Sequence, residues 1–110
     1  MAWFLLRFQF SNASSKALVE NPQDRFGPAK TLVESFGGKL HHYFFSFGEF
    51  DGVGIAEFPD NKSAAAFSMK AGSTGGFSRF ETTVLMPTAE AEQAMKLARD
   101  TKSAFRAPNA

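Results

Sequence analysis

Five charged or polar side chains on predicted strands are the best candidates for chemistry: Arg7, Gln9, Glu57, Arg79 and Glu81. Side chains two residues apart on a strand point the same way, so Arg7 with Gln9, and Arg79 with Glu81, should share sheet faces and converge. Unpaired charge is costly on an otherwise apolar face, so the group should be paired, hydrated or bound to a ligand. One interpretation is a cleft where arginine binds an anionic or enolate oxygen while a carboxylate or histidine moves a proton. The other is an ion-pair network along a contact between subunits.

Two adjacent histidines, His41 and His42, lie near the start of the second predicted strand. Neighbouring side chains on a regular strand point to opposite faces, so the pair is not expected to bind one metal ion. One histidine should face the interior, where it could act as a general base near neutral pH, and the other a helix or solvent. The alternative is a histidine that is hydrogen-bonded in place or simply exposed. The candidate catalytic residues are therefore His42, Glu57, Arg79 and Glu81.

Alternating and helical patterns predict the elements that position these side chains. Strands are predicted at residues 2–10, 39–47, 52–58 and 77–86, and helices between Ser15 and Phe36, at 61–71 with Asp60 as N-cap, and after Thr88. The order β-α-β-β-α-β plus a C-terminal helix predicts an α+β, ferredoxin-like domain with a four-stranded antiparallel sheet.

Glu49 and Asp51 lie in the short turn between the second and third strands. A tip with two carboxylates could hold a cation or cap a cleft. The favoured interpretation is turn chemistry, in which Asp51 bonds to the local backbone and Gly52 accepts a positive φ.

The chain has fourteen phenylalanines but only one tryptophan and one tyrosine. Phenylalanine rings carry no hydrogen-bonding group, so this many of them need apolar volume on more than one surface. We therefore expect a second subunit to cover the second sheet face, giving a homodimer or higher oligomer built as a dimeric α/β barrel. The predicted ligand-binding residues in a cleft on the sheet face are Trp3, Arg7, Gln9, Phe45 and Phe77.

The composition argues against several classes of function. A net charge of +1 without a Lys/Arg cluster argues against nucleic-acid binding. The absence of cysteine excludes disulfides and thiolate sites and fits a cytoplasmic protein. No apolar run approaches the roughly 20 residues of a membrane span. No phosphate loop, dinucleotide fingerprint or His-x-x-x-His pair is present, so neither a cofactor nor a metal is predicted.

The segment Gly48-Glu49-Phe50-Asp51-Gly52 resembles the signature of the GYD-domain family, which typically reads Gly-Glu-Tyr-Asp. Supporting matches are Pro22 with Arg25, Gly37-Gly38, Pro59-Asp60 and Arg79-Phe80-Glu81-Thr82. Phe50 replaces the family's tyrosine, so any role of that phenol is missing here. The resemblance extends to about Met86, which divides the chain into a domain at residues 1–87 and a C-terminal helix with a short tail at 88–110. It implies the ferredoxin-like fold and a homo-oligomer but no settled activity.

Three functions are compatible with these patterns. The first is binding of a small hydrophobic or aromatic ligand in a cleft on the sheet face. The second is a cofactor-independent isomerase or monooxygenase-like enzyme, with Glu57, Glu81 or His42 as base and Arg79 or Arg7 as oxyanion partner. The third is a non-catalytic interaction module whose C-terminal helix binds another protein or its twin subunit.

Overall fold

A single antiparallel sheet forms the centre of the computed structural model, which describes residues 1–109. Its strands are β1 (Ala2–Phe10), β2 (Lys39–Phe45), β3 (Gly52–Phe58) and β4 (Phe77–Leu85), in the spatial order β2-β3-β1-β4. Both central strands, β3 and β1, pair antiparallel with their neighbours. This confirms the predicted ferredoxin-like arrangement.

Four helices accompany the sheet: α1 (Asn12–Glu20), α2 (Phe26–Ser35), α3 (Asn61–Ser73) and α4 (Thr88–Asp100). The first helical stretch is two helices, because Pro22 and its neighbours separate α1 from α2. Helix α1 begins earlier than predicted, since the Ser11 hydroxyl accepts a hydrogen bond from the Ser14 amide and caps it. Asp60 caps α3 as predicted, accepting from the Ser63 amide at 2.8 Å.

The alternation in β1 divides the sheet into two faces. We call the side that carries Phe4, Leu6 and Phe8 the helix face, because these buried residues pack towards α2 and α3. We call the side that carries Trp3, Leu5, Arg7 and Gln9 the open face, where side chains are only half-buried. Val33 from α2 and Phe67 from α3 complete the core on the helix face.

A bulge in β2 alters the predicted placement of the two histidines. The pairing with β3 shifts between Leu40 and His42, so the strand contains one extra residue there. His41 bonds to Glu57, and His42 lies opposite Ile55 and stacks on Phe44. Both histidines therefore lie on the open face, and the expectation that they point to opposite faces is wrong because the strand is not regular.

The second strand ends at Phe45 rather than residue 47, and Ser46 to Asp51 form the hairpin loop. Gly52 does not have a positive φ, contrary to the prediction; only Gly37 and Gly75 do among residues 1–109. Gly52 is required for space instead, because a Cβ there would lie 2.2 Å from the Phe8 ring.

Helix α4 extends away from the sheet and buries no residue. The radius of gyration is 17.9 Å and the longest dimension 59 Å, whereas a compact chain of this length has a radius near 13 Å. The helix ends at Asp100, and Phe105 lies in the segment that follows it. Within the part of the chain that the structure describes, no helix is long and apolar enough to cross a membrane.

Candidate functional site

A cavity of about 100 Å³ lies between the helix face of the sheet and helices α2 and α3. Its walls are mainly rings and aliphatic side chains. The sheet contributes Leu6, Phe8, Phe10, Leu40, Tyr43, Gly54, Phe77 and Phe80, and the helices and their approach contribute Arg25, Pro28, Ala29, Leu32, Val33, Phe67 and Ala71. Such an apolar space with a few polar groups is typical of small-molecule pockets.

Glycine in β3 keeps this space open. Gly54 lies opposite Leu6 in β1 and Tyr43 in β2. A Cβ on Gly54 would make ordinary van der Waals contact with Leu6 and Leu40 side-chain atoms at 3.7 Å, and because Gly54 lines the cavity, a larger side chain there would extend into it. The absence of a side chain at this central position leaves room beneath α2.

Tyr43 supplies one of the two polar groups of the cavity wall. Its ring packs edge-on against Phe8 and lies beside Phe45. Burial raises the pKa of Tyr43 to about 12, while the positive charge of Arg25 acts in the opposite direction. At neutral pH, Tyr43 therefore presents a neutral hydroxyl group that can donate a hydrogen bond.

Arg25 supplies the second polar group, immediately before α2. Its Nη1 donates to Gln23 Oε1 at 2.9 Å. Arg25 also lines an adjoining hollow of about 220 Å³, which shares Phe10 and Phe77 with the cavity. Arg25 thus lies between the apolar cavity and this hollow, which is more polar because Ser14 and Gln23 line it.

A different cluster forms on the open face around Phe50. Arg7 and Arg79 place their guanidinium carbons 4.6 and 4.8 Å from the centre of the Phe50 ring. Glu81 bonds to Arg7 at 3.2 Å and to Arg79 at 2.7 Å, and Arg79 also bonds to Glu49 at 2.9 Å. Hydrogen bonds to Glu81 and Glu49 raise the pKa of Arg79 above its ordinary value. The predicted convergence of Arg7, Arg79 and Glu81 is confirmed, and their charges are paired.

The hairpin loop is fastened to this cluster by its backbone. Gln9 donates to the Glu49 carbonyl. The Asp51 carboxylate accepts from the Phe10 amide at 2.8 Å, and the Asp51 amide donates to the Phe8 carbonyl at 2.8 Å. Asp51 therefore bonds the loop to β1, whereas the sequence predicted bonds within the turn. The loop holds Phe50 against the open face, where it is 8% exposed.

A second open-face group lies at the other end of β1. His41 Nε2 is 2.7 Å from Glu57 Oε1, and the His41 ring stacks on Trp3 with a centroid distance of 4.6 Å. Glu57 lies opposite Trp3 in the sheet, whereas Arg7 lies opposite Glu81. Glu57 therefore does not join the Arg7–Arg79 cluster.

The predicted site residues are thus divided between the two faces. Phe77 lines the cavity, and Phe45 lies on the same face beside Tyr43 and Phe10. The remaining predicted residues lie on the open face: Trp3, Arg7, Gln9, His42, Glu57, Arg79 and Glu81. Trp3 also lines a shallow hollow with Leu85, Met86 and Pro87. The enclosed cavity is therefore not on the face where the sequence placed the charged residues.

Sequence reasoning missed Arg25 and Tyr43 as site residues. Tyr43 is the only tyrosine in the chain, and so the only phenol among its many rings. Arg25 is a single cation directly before an apolar helix. These signals could have been read from the sequence, but the β2 bulge that fixes the face of Tyr43 could not. Among residues 1–109, no group of three or more histidine or carboxylate side chains is arranged to hold a metal ion.

Fold and site together define a small ferredoxin-like α+β protein with a cavity under its helices. The model of the GYD domain matches residues 4–95. The chain belongs to the GYD domain family, which confirms the resemblance carried by the hairpin loop. The matched region includes the first part of α4.

Two solved structures are similar to the chain to different degrees. The crystal structure of FFRP-DM1 is 13% identical with a TM-score of 0.54, covering 78% of this chain and 100% of that one. Protein Atu4242 from Agrobacterium tumefaciens is 16% identical with a TM-score of 0.49, covering 79% of this chain and 93% of that one. No curated protein has significant sequence similarity to the chain. At 13% identity, the likeness to FFRP-DM1 concerns the fold alone.

Proposed function

We propose that this GYD-domain protein binds a small, mainly apolar, ring-containing molecule in the cavity between the sheet and helices α2 and α3. The observation that carries this proposal is the enclosed aromatic lining with only Tyr43 and Arg25 as polar groups. The cavity volume of about 100 Å³ is of the same order as the roughly 150 Å³ of an engineered apolar cavity that binds benzene. A ligand with a single ring therefore fits the space.

Benzene titrated into the protein, followed by ligand-observed NMR or calorimetry, tests this proposal. Ala29→Leu adds apolar volume from α2 into the cavity, and Ala65→Leu adds the same volume at an exposed position of α3. We expect saturable binding to the wild type, about tenfold weaker binding to Ala29→Leu and unchanged binding to Ala65→Leu. Binding that is absent from the wild type, or equal in all three proteins, would rule the cavity out as the site.

We further propose that two chains pack through their open faces as a homodimer. Trp3, Leu5, Val53 and Ile55 form a half-buried apolar centre on this face, and the charged residues beside it are largely paired within the chain. Paired charges lower the cost of burying such a surface against a second copy. This arrangement is the dimeric α/β barrel expected from the sequence.

Analytical ultracentrifugation of two matched variants tests the dimer. Ile55→Asp places a carboxylate in the centre of the open face. Val19→Asp places a carboxylate on α1 instead, at a residue that is 81% exposed. We expect the wild type and Val19→Asp to sediment as dimers and Ile55→Asp as a folded monomer. A monomeric wild type would refute this part of the proposal.

Catalysis by the open-face residues stays a prediction. Glu81 is engaged by both Arg7 and Arg79, Glu57 is engaged by His41, and His42 makes its ring contact with Phe44. These contacts favour an ion-pair network over a free base and oxyanion partner. The enzyme hypothesis requires Arg79→Ala to abolish turnover of a substrate while leaving the oligomer intact.

Helix α4 supports a second candidate role in protein contacts. Met95 and Leu97 are 68% and 69% exposed on a helix that buries none of its residues. We propose that α4 packs against the second copy of the chain. Deleting residues 88–110 should then weaken the dimer measured by ultracentrifugation; an unchanged dissociation constant would exclude this role.

A cytoplasmic location, expected from the lack of cysteine, also stays a prediction.

A further inference from the structure

Arg25 differs from the other arginines of the folded domain in its partners. Arg7 and Arg79 both pair with Glu81, and Arg99 in α4 pairs with Asp100. Among residues 1–109, Arg25 makes no ion pair with a carboxylate. Its hydrogen-bond partner is the neutral amide oxygen of Gln23. Arg25, a half-buried residue of the cavity lining, thus retains a positive charge without a carboxylate partner among these residues.

The side chain of Arg25 is not needed to begin α2. Arg25 occupies the N-cap position, but its side chain makes no capping hydrogen bond. The Asp24 carboxylate accepts the Phe26 amide instead, at 2.9 Å. The guanidinium therefore takes no part in starting the helix.

Tyr43 on the sheet and Arg25 before α2 both line the cavity, and they are close enough for the positive charge of Arg25 to act on the Tyr43 hydroxyl. The neutral hydroxyl of Tyr43 can donate one hydrogen bond, and the planar guanidinium can donate two in parallel to a carboxylate. Charge-assisted bonds of this kind are stronger than neutral ones. The group best suited to both donors is a carboxylate oxygen.

We propose that the ligand of this cavity is a small aromatic carboxylate, with its ring among Phe8, Phe67 and Phe80 and its carboxylate at Arg25 and Tyr43. The assignment rests on the proposed function, because it uses the same cavity. The adjoining polar hollow allows the charged end to remain hydrated while the ring is buried. The cavity thus fits an amphiphilic anion better than a neutral hydrocarbon.

Benzoate and its neutral analogue benzamide are the probes for this proposal. Their titration by ligand-observed NMR should be carried out on the wild type, Arg25→Gln, Arg25→Lys and Tyr43→Phe. Arg106→Gln is the matched control, since it removes one positive charge from the C-terminal segment, outside the cavity lining. Arg25→Gln should fold, because the side chain makes no cap.

The wild type should bind benzoate about tenfold more tightly than benzamide. In Arg25→Gln this preference should disappear through loss of benzoate affinity, with benzamide unchanged. Arg25→Lys should keep part of the preference, Tyr43→Phe should weaken benzoate binding a few-fold, and Arg106→Gln should behave as the wild type.

Equal affinities for the two probes in the wild type, or a preference that survives in Arg25→Gln, would overturn the carboxylate assignment. If the carboxylate assignment fails in this way, weaker benzamide binding to Ala29→Leu than to the wild type would still support the proposed function of the cavity. If neither probe nor benzene binds, both the assignment and the proposed function fail.

Discussion

The ring of Phe8 occupies the space in which a side chain on Gly52 would lie. The two residues are paired across β1 and β3, and a Cβ built on Gly52 would be 2.2 Å from Phe8 Cζ. The same ring lines the cavity. The final glycine of the hairpin segment therefore sets the position of one cavity wall, and it does so by its size and not by a left-handed backbone.

Gly52→Ala should lower the free energy of unfolding by about 1–3 kcal/mol, because the Phe8 ring must move within a packed core. Gly48→Ala in the adjoining hairpin loop is the control, since no heavy atom lies within 4 Å of its Cβ position. Urea denaturation measures both. Similar losses in the two variants would show that the contact with Phe8 is not the cause.

Phe50→Leu should lower the free energy of unfolding by about 1–2 kcal/mol, because it removes ring surface and the stacking of two guanidinium groups. Phe47→Leu, at a position that is 102% exposed, should leave stability unchanged. Urea denaturation of the two variants decides whether the Phe50 ring organises the loop. An Arg7→Gln, Phe50→Leu double variant that shows simple additivity would indicate that Arg7 does not couple to the ring.

Tyr43 should titrate with a pKa of about 12 in the folded protein and near 10.0 after unfolding. As the only tyrosine, it can be followed by the ultraviolet absorbance of tyrosinate after a rapid pH jump. The folded pKa is raised, so the protonated form favours folding: this stabilisation is complete below pH 10 and is lost as the pH rises through about 12. Arg25→Gln should raise the pKa further, because the Arg25 charge lowers it. A folded midpoint near 10 would contradict the burial of the hydroxyl.

Asp60 should contribute a pH-dependent part of the stability of α3. Its bonds to the Ser63 amide and hydroxyl lower its pKa below the ordinary 3.8, so its cap stabilisation is present above that pH and lost as the pH falls through the lowered value. Asp60→Asn keeps a capping oxygen without the titration. Urea midpoints at neutral and acidic pH should therefore fall less for Asp60→Asn than for the wild type. Equal falls would assign the acid sensitivity to other groups.

The fold could be predicted largely because local patterns agree with it. The alternation of Phe4, Leu6 and Phe8 against Leu5 and Arg7 predicts β1 and its two faces, and Asp60 marks the start of α3. The β2 bulge was not predictable, since an extra residue in one strand depends on its pairing with β3 and leaves no clear local signal. It placed both histidines on one face, because an extra residue reverses the alternation from that point along the strand.

The site was predictable only in part. Charge spacing identified the Arg7–Glu81 and Arg79–Glu81 contacts, because strands β1 and β4 pair directly. The predicted ligand-binding residues are divided between the two faces, and the cavity itself is formed by elements far apart in sequence. Gly54, Tyr43 and Arg25 each lack a local signal that they line one space, and only the packing of α2 on the sheet brings them together.

The two-sided sheet has a consequence for how this protein can change over time. In β1, every second residue belongs to the cavity side and the residues between them to the surface proposed for assembly. Neighbouring positions in this strand are therefore constrained separately, one by the shape of the cavity and the next by the proposed contact between subunits. Members of this family could acquire new ligands by substitutions at the residues that face the cavity, while the alternate residues preserve the quaternary structure.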